Sequence, residues 1–383
     1  MKTVKLYYQD NMLSEFTATV IECIDKGDHY EIVLDKTAFF PEEGGQTADT
    51  GIIGDAEIFD AKEINGVIYH HTKTPLKTGI TYNAKINFSE RFDKMQNHSG
   101  EHIISGIVHK LYGYENVGFH LSDNTVTLDF NGVLTREDLN KIEILANETI
   151  HKNVKITATF PSDAELKTIP YRSKLDLTDN IRIVTIDGYD ICACCAPHVS
   201  TTGEIGIIKL LDFSKHKNGV RINIKCGMRA ILDYQNKYAN IAEISAALCA
   251  KQEEAAAAVK ALQAENDRLK YEITGLKREK AEIKLNMYDK THDNILMFEK
   301  DMDAATLRYI ADKGADICRV FTVFSETDGG YNFVCCSKKV DLKEILPKLK
   351  QTLNLSGGGN STMLQGRITA DKAAIEKFFN AEL

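Results

Sequence analysis

The chain has 383 residues, which is long enough for about two or three domains, each with its own hydrophobic core. Apolar residues make up 43% and charged residues 27%, as in ordinary soluble proteins, and no run approaches the roughly 18 apolar residues that span a bilayer. The net charge of −8 argues against binding of nucleic acid over the whole surface, although a local basic patch would suffice. The N-terminus lacks the apolar run of a signal peptide, and nine cysteines fit reduced thiols and metal binding better than disulfides. We therefore expect a cytoplasmic protein that has no contact with membranes.

Residues 1–88 predict a β-rich, barrel-like N-terminal domain. Apolar and polar residues alternate over short segments that Gly, Asp and Asn separate, which is typical of strands joined by turns. These segments are Phe16–Ile21, Tyr30–Leu34, Gly66–His70 and Ile80–Phe88. Between them lies TAFFPEEGGQ, residues 37–46, whose proline and two glycines predict a tight turn with exposed backbone. Read alone, this segment is a β-turn that ends in Gln46, whose amide can both donate and accept hydrogen bonds.

Residues 89–235 predict an α+β domain with helices packed on one face of a sheet. Met95–Tyr112 carries apolar residues at helical spacing, and a second helix is predicted at 136–151. Strand-like segments follow at 125–130, 154–160, 181–186, 205–213 and 220–225.

Two motifs in this second domain have the residue types and the spacing of metal ligands. His98 and His102 are four residues apart, so a helix places both rings on one face. Cys194 and His198 repeat that spacing, and Pro197 indicates that this pair lies on a loop after the strand-like segment at 181–186. One thiolate and three imidazoles form a ligand set that suits Zn²⁺. Four protein ligands are typical of a structural site, however, because catalytic zinc keeps one position open.

The same residues are also compatible with ordinary structural roles. Two histidines four apart occur on hydrogen-bonded helix faces, and free cysteines are often small buried hydrophobes. If a cysteine binds metal, Cys194 has the better spacing, but Cys192 and Cys195 are close to it. Glu101 is either a group that orients or activates water, or an exposed helix carboxylate.

Residues 236–290 predict one long amphipathic helix, of the kind that forms a coiled coil or an antiparallel hairpin. The alternative is a solvated helix that packs on its own domain. Apolar residues recur every seven positions, at 241, 248, 255, 262, 269, 276 and 283. An unbroken helix over 238–287 would reach roughly 70 Å, and Gly275 is the expected point of interruption. The best basic cluster on it consists of Lys277, Arg278, Lys280 and Lys284. Because glutamates are interleaved with these residues, the cluster is also compatible with an ordinary ion-paired helix surface.

Residues 291–383 predict a small C-terminal α/β domain. Ile317–Phe324 and Tyr331–Cys336 have the length and composition of buried strands, and Leu342–Leu349 is helical in pattern. The cluster of Gly357, Gly358 and Gly359 exposes backbone N–H groups that can cradle phosphate, but it matches neither a P-loop nor a Rossmann spacing. By itself the cluster is equally compatible with a flexible loop.

Three elements, in this order, resemble the alanyl-tRNA editing family, which comprises the free-standing AlaX-type proteins and the editing half of alanyl-tRNA synthetase. The elements are TAFFPEEGGQ at 37–46, HSGEH at 98–102 and CCAPH at 194–198. The helical segment and the Gly357–Gly359 cluster resemble the C-terminal, DHH-associated domain of the long AlaX members. The resemblance therefore spans nearly the whole chain. The family usually has glycines between the cysteine and histidine of the third element, where this chain has Cys195, Ala196 and Pro197.

The resemblance implies a trans-editing hydrolase that removes serine, glycine or both from mischarged alanine tRNA in a zinc-dependent site. It implies that Zn²⁺ is bound by His98, His102, Cys194 and His198. Thr37 and Gln46, with the backbone of Gly44 and Gly45, would then lie beside the bound amino acid. It also implies that the C-terminal extension, which includes Gly357–Gly359, contacts the tRNA body or forms a homodimer through the long helix or the C-terminal domain. The basic residues Lys277, Arg278 and Lys280 are a separate candidate for tRNA contact, based on their charge alone.

Two rival functions remain. A zinc-stabilised module for tRNA binding or dimerisation would share the ligands but lack hydrolase activity. His98-x-x-Glu101-His102 also has the form of an inverted zinc peptidase motif, with Glu101 as general base. That second function gives no role to Cys194, to His198 or to the Gly44–Gln46 turn.

Overall fold

The computed structural model describes residues 2–122, 125–173, 180–288 and 293–382. The chain divides into two units, residues 1–240 and 241–383. Several sheets and helices alternate along both units, which confirms the predicted mixed α+β class. The finer division at 88, 235 and 290 stays a prediction. Among the described residues, no helix combines the length and apolarity needed to cross a membrane.

The first unit contains most of the strands. They are β1 (Val4–Lys5), β2 (Glu15–Asp25), β3 (Tyr30–Leu34), β4 (Lys36–Thr37), β5 (Gly51–Ile53), β6 (Ala56–Ile64), β7 (Val67–Thr72), β8 (Thr81–Ile86), β9 (Asn116–Leu121), β10 (Val126–Phe130), β11 (Ile156–Thr159), β12 (Ile183–Ile186), β13 (Asp190–Ala193), β14 (Ile208–His216) and β15 (Gly219–Cys226). The helices that begin in this unit are α1 (Phe88–Tyr112), α2 (Arg136–His151), α3 (Asp163–Leu166) and α4 (Gly227–Leu248).

Six of the N-terminal strands pair in the closed order β2–β3–β7–β6–β5–β8. All six pairings are antiparallel. Closure leaves no free strand edge, and the inward-facing alternate residues form one core. Val20, Ile32 and Ile58 are fully buried in this core.

Helix α1 follows the barrel and is buried over most of its length, not along a single stripe. It begins seven residues before the predicted start at Met95. It ends at Gly113, which has a φ of +70° and donates its N–H to the His109 carbonyl. Two glycines inside the helix allow close packing. A Cβ at Gly100 would lie 2.4 Å from the Cys226 sulfur, and one at Gly106 would lie 2.2 Å from the Tyr189 carbonyl oxygen.

Two antiparallel sheets pack with α1 and α2 around the second core of this unit. One sheet has the order β14–β15–β10–β9, and the other has the order β11–β12–β13. The close approach of Tyr189 to Gly106 brings the β12–β13 turn, and hence the start of β13, against the middle of α1. This packing positions the second metal-type motif beside the first.

The second unit has a single five-stranded sheet in the order β16–β17–β18–β20–β19. Its strands are β16 (Asn294–Lys300), β17 (Val320–Thr327), β18 (Gly330–Cys336), β19 (Ser356–Gly359) and β20 (Met363–Ile368). Its helices are α5 (Ala255–Met287), α6 (Ala304–Gly314), α7 (Leu346–Thr352) and α8 (Lys372–Glu382). The glycine cluster therefore forms an edge strand, and the helix predicted at Leu342–Leu349 lies a few residues later.

The prediction of one continuous helix over 238–287 is wrong, because α4 ends at Leu248 and α5 begins at Ala255. Cys249 has a φ of +50°, its N–H donates to the Ala246 carbonyl, and the Ala250 N–H donates to the Ser245 carbonyl. These two bonds form a Schellman motif, which ends a helix. The interruption lies there and not at Gly275, which is inside α5.

Candidate metal centre and active site

Four side chains from the two motifs meet in one buried cluster, which we call the His₃Cys cluster: His98, His102, Cys194 and His198. Their candidate ligand atoms all lie within 4.8 Å of one another. The Cys194 sulfur is 3.5 Å from His98 Nε2 and 3.4 Å from His198 Nε2. Zinc bond lengths of about 2.3 Å to sulfur and 2.05 Å to nitrogen, at a tetrahedral angle, give a sulfur–nitrogen separation of roughly 3.6 Å. The cluster therefore has the spacing of a tetrahedral metal site.

Each histidine of the cluster uses its Nδ1 atom outside the cluster. His98 Nδ1 donates to the Gln46 amide oxygen at 2.9 Å, and His102 Nδ1 donates to Asp190 Oδ2 at 2.8 Å. His198 Nδ1 lies 3.0 Å from the Ser99 hydroxyl. Metal-binding histidines typically have such partners, which fix the tautomer and leave the Nε2 lone pair for the ion. The three imidazoles are thus oriented as metal ligands.

Asp190 is itself held in place by Arg172. The guanidinium donates from Nε to Oδ1 at 2.8 Å and from a terminal nitrogen to Oδ2 at 2.9 Å. The Asp190 side chain is 1% exposed and the Arg172 side chain 11%. Neither residue was predicted from the sequence. The only sequence signal is a carboxylate four residues before Cys194.

The environment distinguishes Cys194 from its two neighbours. Burial would raise the pKa of the Cys194 thiol, but the nearby His98 and His198 rings outweigh it and hold that pKa well below its usual value. Burial raises the pKa of Cys192 to about 11, and it also raises the pKa of Cys195. The thiolate is the form that binds metal, so Cys194 is the cysteine best suited as a ligand.

The cluster also favours a positive charge at its centre. Burial would lower the pKa of His102, but the Glu101 and Asp190 carboxylates raise it well above its usual value. Burial lowers the pKa of His198 to about 3, which keeps that ring neutral and able to bind a metal. A thiolate, two carboxylates and a neutral imidazole therefore fit a divalent cation.

His98 and His102 lie on α1, and Cys194 and His198 lie on a loop, as the sequence predicts. The predicted loop after the strand at 181–186 is incorrect in one respect, because β13 intervenes between that strand and Cys194. The Cys194 N–H donates to the Arg182 carbonyl, and Arg182 donates to the carbonyls of Cys194 and Ala196. These contacts fix the backbone of the loop that carries the cysteine.

The Gly44–Gln46 turn packs on strand β9 and delivers Gln46 to the His₃Cys cluster. Gly44 and Gly45 have φ values of +63° and +82°, which only glycine adopts readily. A Cβ at Gly45 would lie 2.5 Å from the Phe119 carbonyl oxygen, and the Leu121 N–H donates to the Gly45 carbonyl. The sequence therefore requires glycine here for close packing as well as for the turn.

Gln46 is fully buried, and the nitrogen of its side-chain amide can still donate a hydrogen bond. Its oxygen accepts from His98, while its Nε2 atom has no hydrogen-bond partner in the part of the chain that the structure describes. A buried donor without a partner is uncommon in folded proteins. This donor, next to a metal-type cluster, is a candidate contact for a bound ligand.

A buried ion pair joins the same loop to α1. Arg91 donates from Nε to both Asp49 oxygens at 3.0 and 2.9 Å, and its terminal nitrogen donates to the Ala38 carbonyl at 2.6 Å. Asp49 Oδ2 also accepts from the Phe40 N–H at 2.7 Å. Sequence reasoning did not find this pair, because its residues are 42 positions apart. It anchors the segment that ends in Gln46.

Glu101 is buried at 1% exposure, so the alternative of an exposed helix carboxylate is wrong. Its Oε1 atom accepts hydrogen bonds from Ser105 and Asn116. Its Oε2 atom lies 3.7 Å from His102 Nε2, on the side of the ring that faces the other ligands. The carboxylate therefore borders the His₃Cys cluster.

Thr37 lies in β4 and is fully buried. Its hydroxyl lies 2.8 Å from His70 Nε2, and it accepts from the Phe39 N–H at 3.1 Å. A role for Thr37 beside the amino acid stays a prediction.

Of the basic cluster on α5, three members already have partners within the second unit, and one of them is Lys284, which donates to Glu299. Lys277 donates to the Asp301 carbonyl, and the Arg278 guanidinium lies 5.4 Å from the centre of the Tyr309 ring. Lys280 is exposed. The cluster is thus partly a surface of intramolecular contacts.

The glycine edge strand lines a cavity of about 660 Å³ within the second unit. A Cβ at Gly357 or Gly359 would lie 2.3 or 2.0 Å from carbonyl oxygens of β20, whereas Gly358 has open space on that side. The lining of the cavity also includes Arg308 and Arg367. Exposed backbone and two guanidinium groups therefore occur together in this cavity.

Comparison with known proteins identifies regions shared with tRNA synthetases. Residues 181–223 match the model of the threonyl and alanyl tRNA synthetase second additional domain, and residues 3–90 match that of the class II (A) tRNA synthetases. Alanyl-tRNA editing protein AlaX-L of Pyrococcus horikoshii is 29% identical over 96% of this chain and 95% of its own length. Alanyl-tRNA editing protein Aarsd1 of Rattus norvegicus is 25% identical over 95% of this chain and 94% of its own. An alanine–tRNA ligase of Methanococcus vannielii is 28% identical over 99% of this chain, which covers only 43% of the ligase.

The chain thus combines two regions that match tRNA synthetase family models with a metal-type His₃Cys cluster. More particularly, the chain is similar along nearly its whole length to the alanyl-tRNA editing proteins of the AlaX type. The resemblance that three ordered motifs predicted is confirmed.

Proposed function

We propose that this protein is a trans-editing hydrolase that removes serine, glycine or both from mischarged alanine tRNA in a zinc-dependent site. The observation that carries the proposal is the His₃Cys cluster, with its oriented imidazoles, in a chain similar over 96% of its length to an alanyl-tRNA editing protein. The comparisons support an aminoacyl-tRNA ester hydrolase. Zinc as the ion and alanine tRNA as the partner are our proposals.

Such an activity is useful because a binding pocket can select amino acids by size only to a limited extent. A pocket shaped for alanine gains only about 1–3 kcal/mol against an amino acid that differs by one small group. Binding alone therefore cannot exclude glycine or serine well enough, and a second, hydrolytic site removes the errors.

The proposed ligands of Zn²⁺ are His98, His102, Cys194 and His198. Sulfur–nitrogen distances of 3.5 and 3.4 Å and the lowered thiol pKa support this ligand set. When bound, the ion supplies a positive charge beside the ester, which favours attack on the carbonyl.

We assign two further roles to residues that border the cluster. Gln46 Nε2, a buried donor without a partner among the described residues, donates to the carbonyl oxygen of the bound ester. The Glu101 carboxylate, with Ser105 and Asn116 on one oxygen, orients the attacking water with the other. Gly44 and Gly45 offer backbone close to this position, and we retain Thr37 as a candidate contact of the amino acid.

The second unit is the proposed contact for the tRNA body. Its cavity of about 660 Å³ combines the backbone of Gly357–Gly359 with Arg308 and Arg367, which suits phosphate groups. Lys277, Arg278 and Lys280 are further candidates. Lys277 and Arg278 have intramolecular partners, and so do Arg308 and Arg367, which donate to Gln365 and to the Asp328 carbonyl.

A homodimer through α5 is supported by an exposed apolar stripe on that helix. Leu262, Leu269, Leu276 and Ile283, which are seven residues apart, are 57%, 43%, 59% and 51% exposed. Apolar residues at this spacing are typical of a helix that packs on a partner helix.

The test is hydrolysis of alanine tRNA charged with serine, glycine or alanine by zinc-loaded protein. We expect release of serine or glycine with alanine spared, and loss of that release in Cys194→Ala and after metal removal. Zinc binding and tRNA binding without release of any amino acid would contradict the hydrolase and favour the binding module. Peptide cleavage that survives Cys194→Ala but not Glu101→Gln would favour the peptidase.

A further inference from the structure

A second group of possible metal ligands lies on the barrel, outside the His₃Cys cluster. It consists of His29 in the turn between β2 and β3, Glu31 in β3 and His71 in β7. One candidate ligand atom from each of the three lies within 4.8 Å of the other two. The two imidazole rings have centres 4.8 Å apart. We propose that these residues bind a divalent transition-metal ion, with Zn²⁺ as the natural probe.

The strand register places these residues together. Glu31 lies directly opposite His71 in the β3–β7 pair, and Asp60 lies opposite His71 in the β6–β7 pair. Residues directly opposite on antiparallel strands project from the same face. His29 reaches that face because the Lys26 N–H donates to the His29 carbonyl and closes the preceding turn. The arrangement is therefore a property of the barrel and not of one mobile side chain.

Each of the two histidines has a carboxylate beside its Nδ1 atom, within hydrogen-bond distance for His29 and at ion-pair distance for His71. His29 Nδ1 lies 2.7 Å from Asp28 Oδ1, and His71 Nδ1 lies 3.4 Å from Asp60 Oδ2. Each carboxylate leaves the Nε2 atom on the other side of its ring. His29 Nε2 is buried and has no hydrogen-bond partner among the residues that the structure describes. His71 Nε2 lies 3.8 Å from Glu31 Oε1.

The neighbouring lysines Lys26 and Lys73 contact other oxygens than the proposed ligand atom of Glu31. Lys26 lies 3.2 Å from Glu31 Oε2, which leaves Oε1 on the side of the histidines. Lys73 donates to the Asp28 carbonyl at 2.6 Å. The Phe59 ring lies beside both histidines, at 6.4 and 6.1 Å between ring centres.

The chemistry of the donors indicates the class of ion. Two imidazole nitrogens and one carboxylate oxygen suit Zn²⁺ and its first-row neighbours, whereas Mg²⁺ and Ca²⁺ prefer oxygen ligands only. Three protein ligands leave a position open, which water would fill. An ion here would join the β2–β3 turn to β7 and stabilise the barrel, because it binds the folded chain and finds no preformed site in the unfolded one.

The experiment measures metal stoichiometry in the full chain. Metal-free protein is equilibrated with Zn²⁺ at micromolar free concentration and separated from unbound metal, and zinc is counted per chain. We expect two equivalents in the wild type and in the matched control His151→Gln, an exposed histidine at the end of α2. We expect one equivalent in His29→Gln and in His71→Gln.

Substitution with Co²⁺ distinguishes the two sites and controls for folding. Of the two sites, only the His₃Cys cluster has a thiolate, so the sulfur-to-cobalt absorption band should persist in His71→Gln and disappear in Cys194→Ala. Persistence of that band shows that His71→Gln is folded. The same zinc content in the wild type, His29→Gln and His71→Gln would overturn the proposal.

Discussion

Replacement of Asp190 by asparagine tests whether the His₃Cys cluster depends on its second layer of contacts. The carboxylate accepts from His102 Nδ1 at 2.8 Å and from Arg172 at 2.8 and 2.9 Å. Asparagine preserves the size of the side chain and one acceptor oxygen but removes the charge. Loss of such a partner typically lowers metal affinity about 10–100-fold, which corresponds to about 1.4–2.7 kcal/mol.

The same change should destabilise the metal-free protein, because it leaves the Arg172 guanidinium with no carboxylate in a nearly buried position. Breaking a buried ion pair from one side costs about 3–5 kcal/mol, and the oxygen that asparagine retains places this variant near the lower end. Asp190→Asn should therefore lower both the zinc affinity and the free energy of unfolding of the metal-free protein. The predicted loss of affinity arises from the His102 contact and does not depend on unfolding of the variant.

Zinc affinity is measured by competition with a chelator of known affinity, and stability by urea unfolding of the metal-free protein. Asp187→Asn is the matched control, since Asp187 is exposed in the turn three residues earlier. The reasoning is refuted if Asp190→Asn binds zinc within a factor of about 3 of the wild type, or if Asp187→Asn loses as much.

Three further changes test separate parts of the site and the fold. Cys194→Ala should lower zinc affinity more than about 100-fold, which exceeds the effect of losing an outer contact such as Asp190. The control Cys195→Ala should retain zinc. Equal losses of affinity in the two variants, measured by chelator competition, would argue against Cys194 as the ligand. Glu101→Gln should retain zinc yet lower the rate of ester hydrolysis about 10²–10⁴-fold, and an unchanged single-turnover rate would remove Glu101 from the reaction. Burial lowers the pKa of His70 from 6.5 to about 4, so below pH 6.5 the unfolded chain binds a proton that the folded chain does not. Stability should therefore fall by about 3 kcal/mol as the pH drops from 6.5 to 4, and urea titrations of His70→Gln should show a smaller fall over that range.

The metal-type cluster could be predicted because its geometry is largely local. A spacing of four residues on α1 brings His98 and His102 together wherever the helix packs. Cys194 and His198 are also four apart, and their loop contacts, such as the Arg182 bonds, act over short distances. Only the contact between the two pairs requires tertiary structure. That contact was expected because Cys and His are ligands of the same metal ions.

The outer contacts could not be predicted, because they join positions far apart in the sequence. His102 and Asp190 are separated by 88 residues, and His98 and Gln46 by 52. No periodicity marks an aspartate at the start of a short strand as a partner of a histidine on a helix. The role of Gly106 could not be predicted either. Its lack of a side chain allows the β12–β13 turn to approach α1.

Two errors share one cause, the assumption that a pattern of apolar residues defines where a helix is exposed and where it ends. Glu101 lies off the apolar stripe of α1, yet it is buried because Ser105 and Asn116 satisfy its carboxylate. The heptad pattern continues through Cys249, yet the helix ends there, because backbone hydrogen bonds to Ser245 and Ala246 close a Schellman motif without the usual glycine. Whether a helix residue is buried, and where a helix ends, therefore depends on hydrogen bonds to polar groups as well as on the spacing of apolar residues. Of these two positions, Glu101 borders the site that we propose to be catalytic.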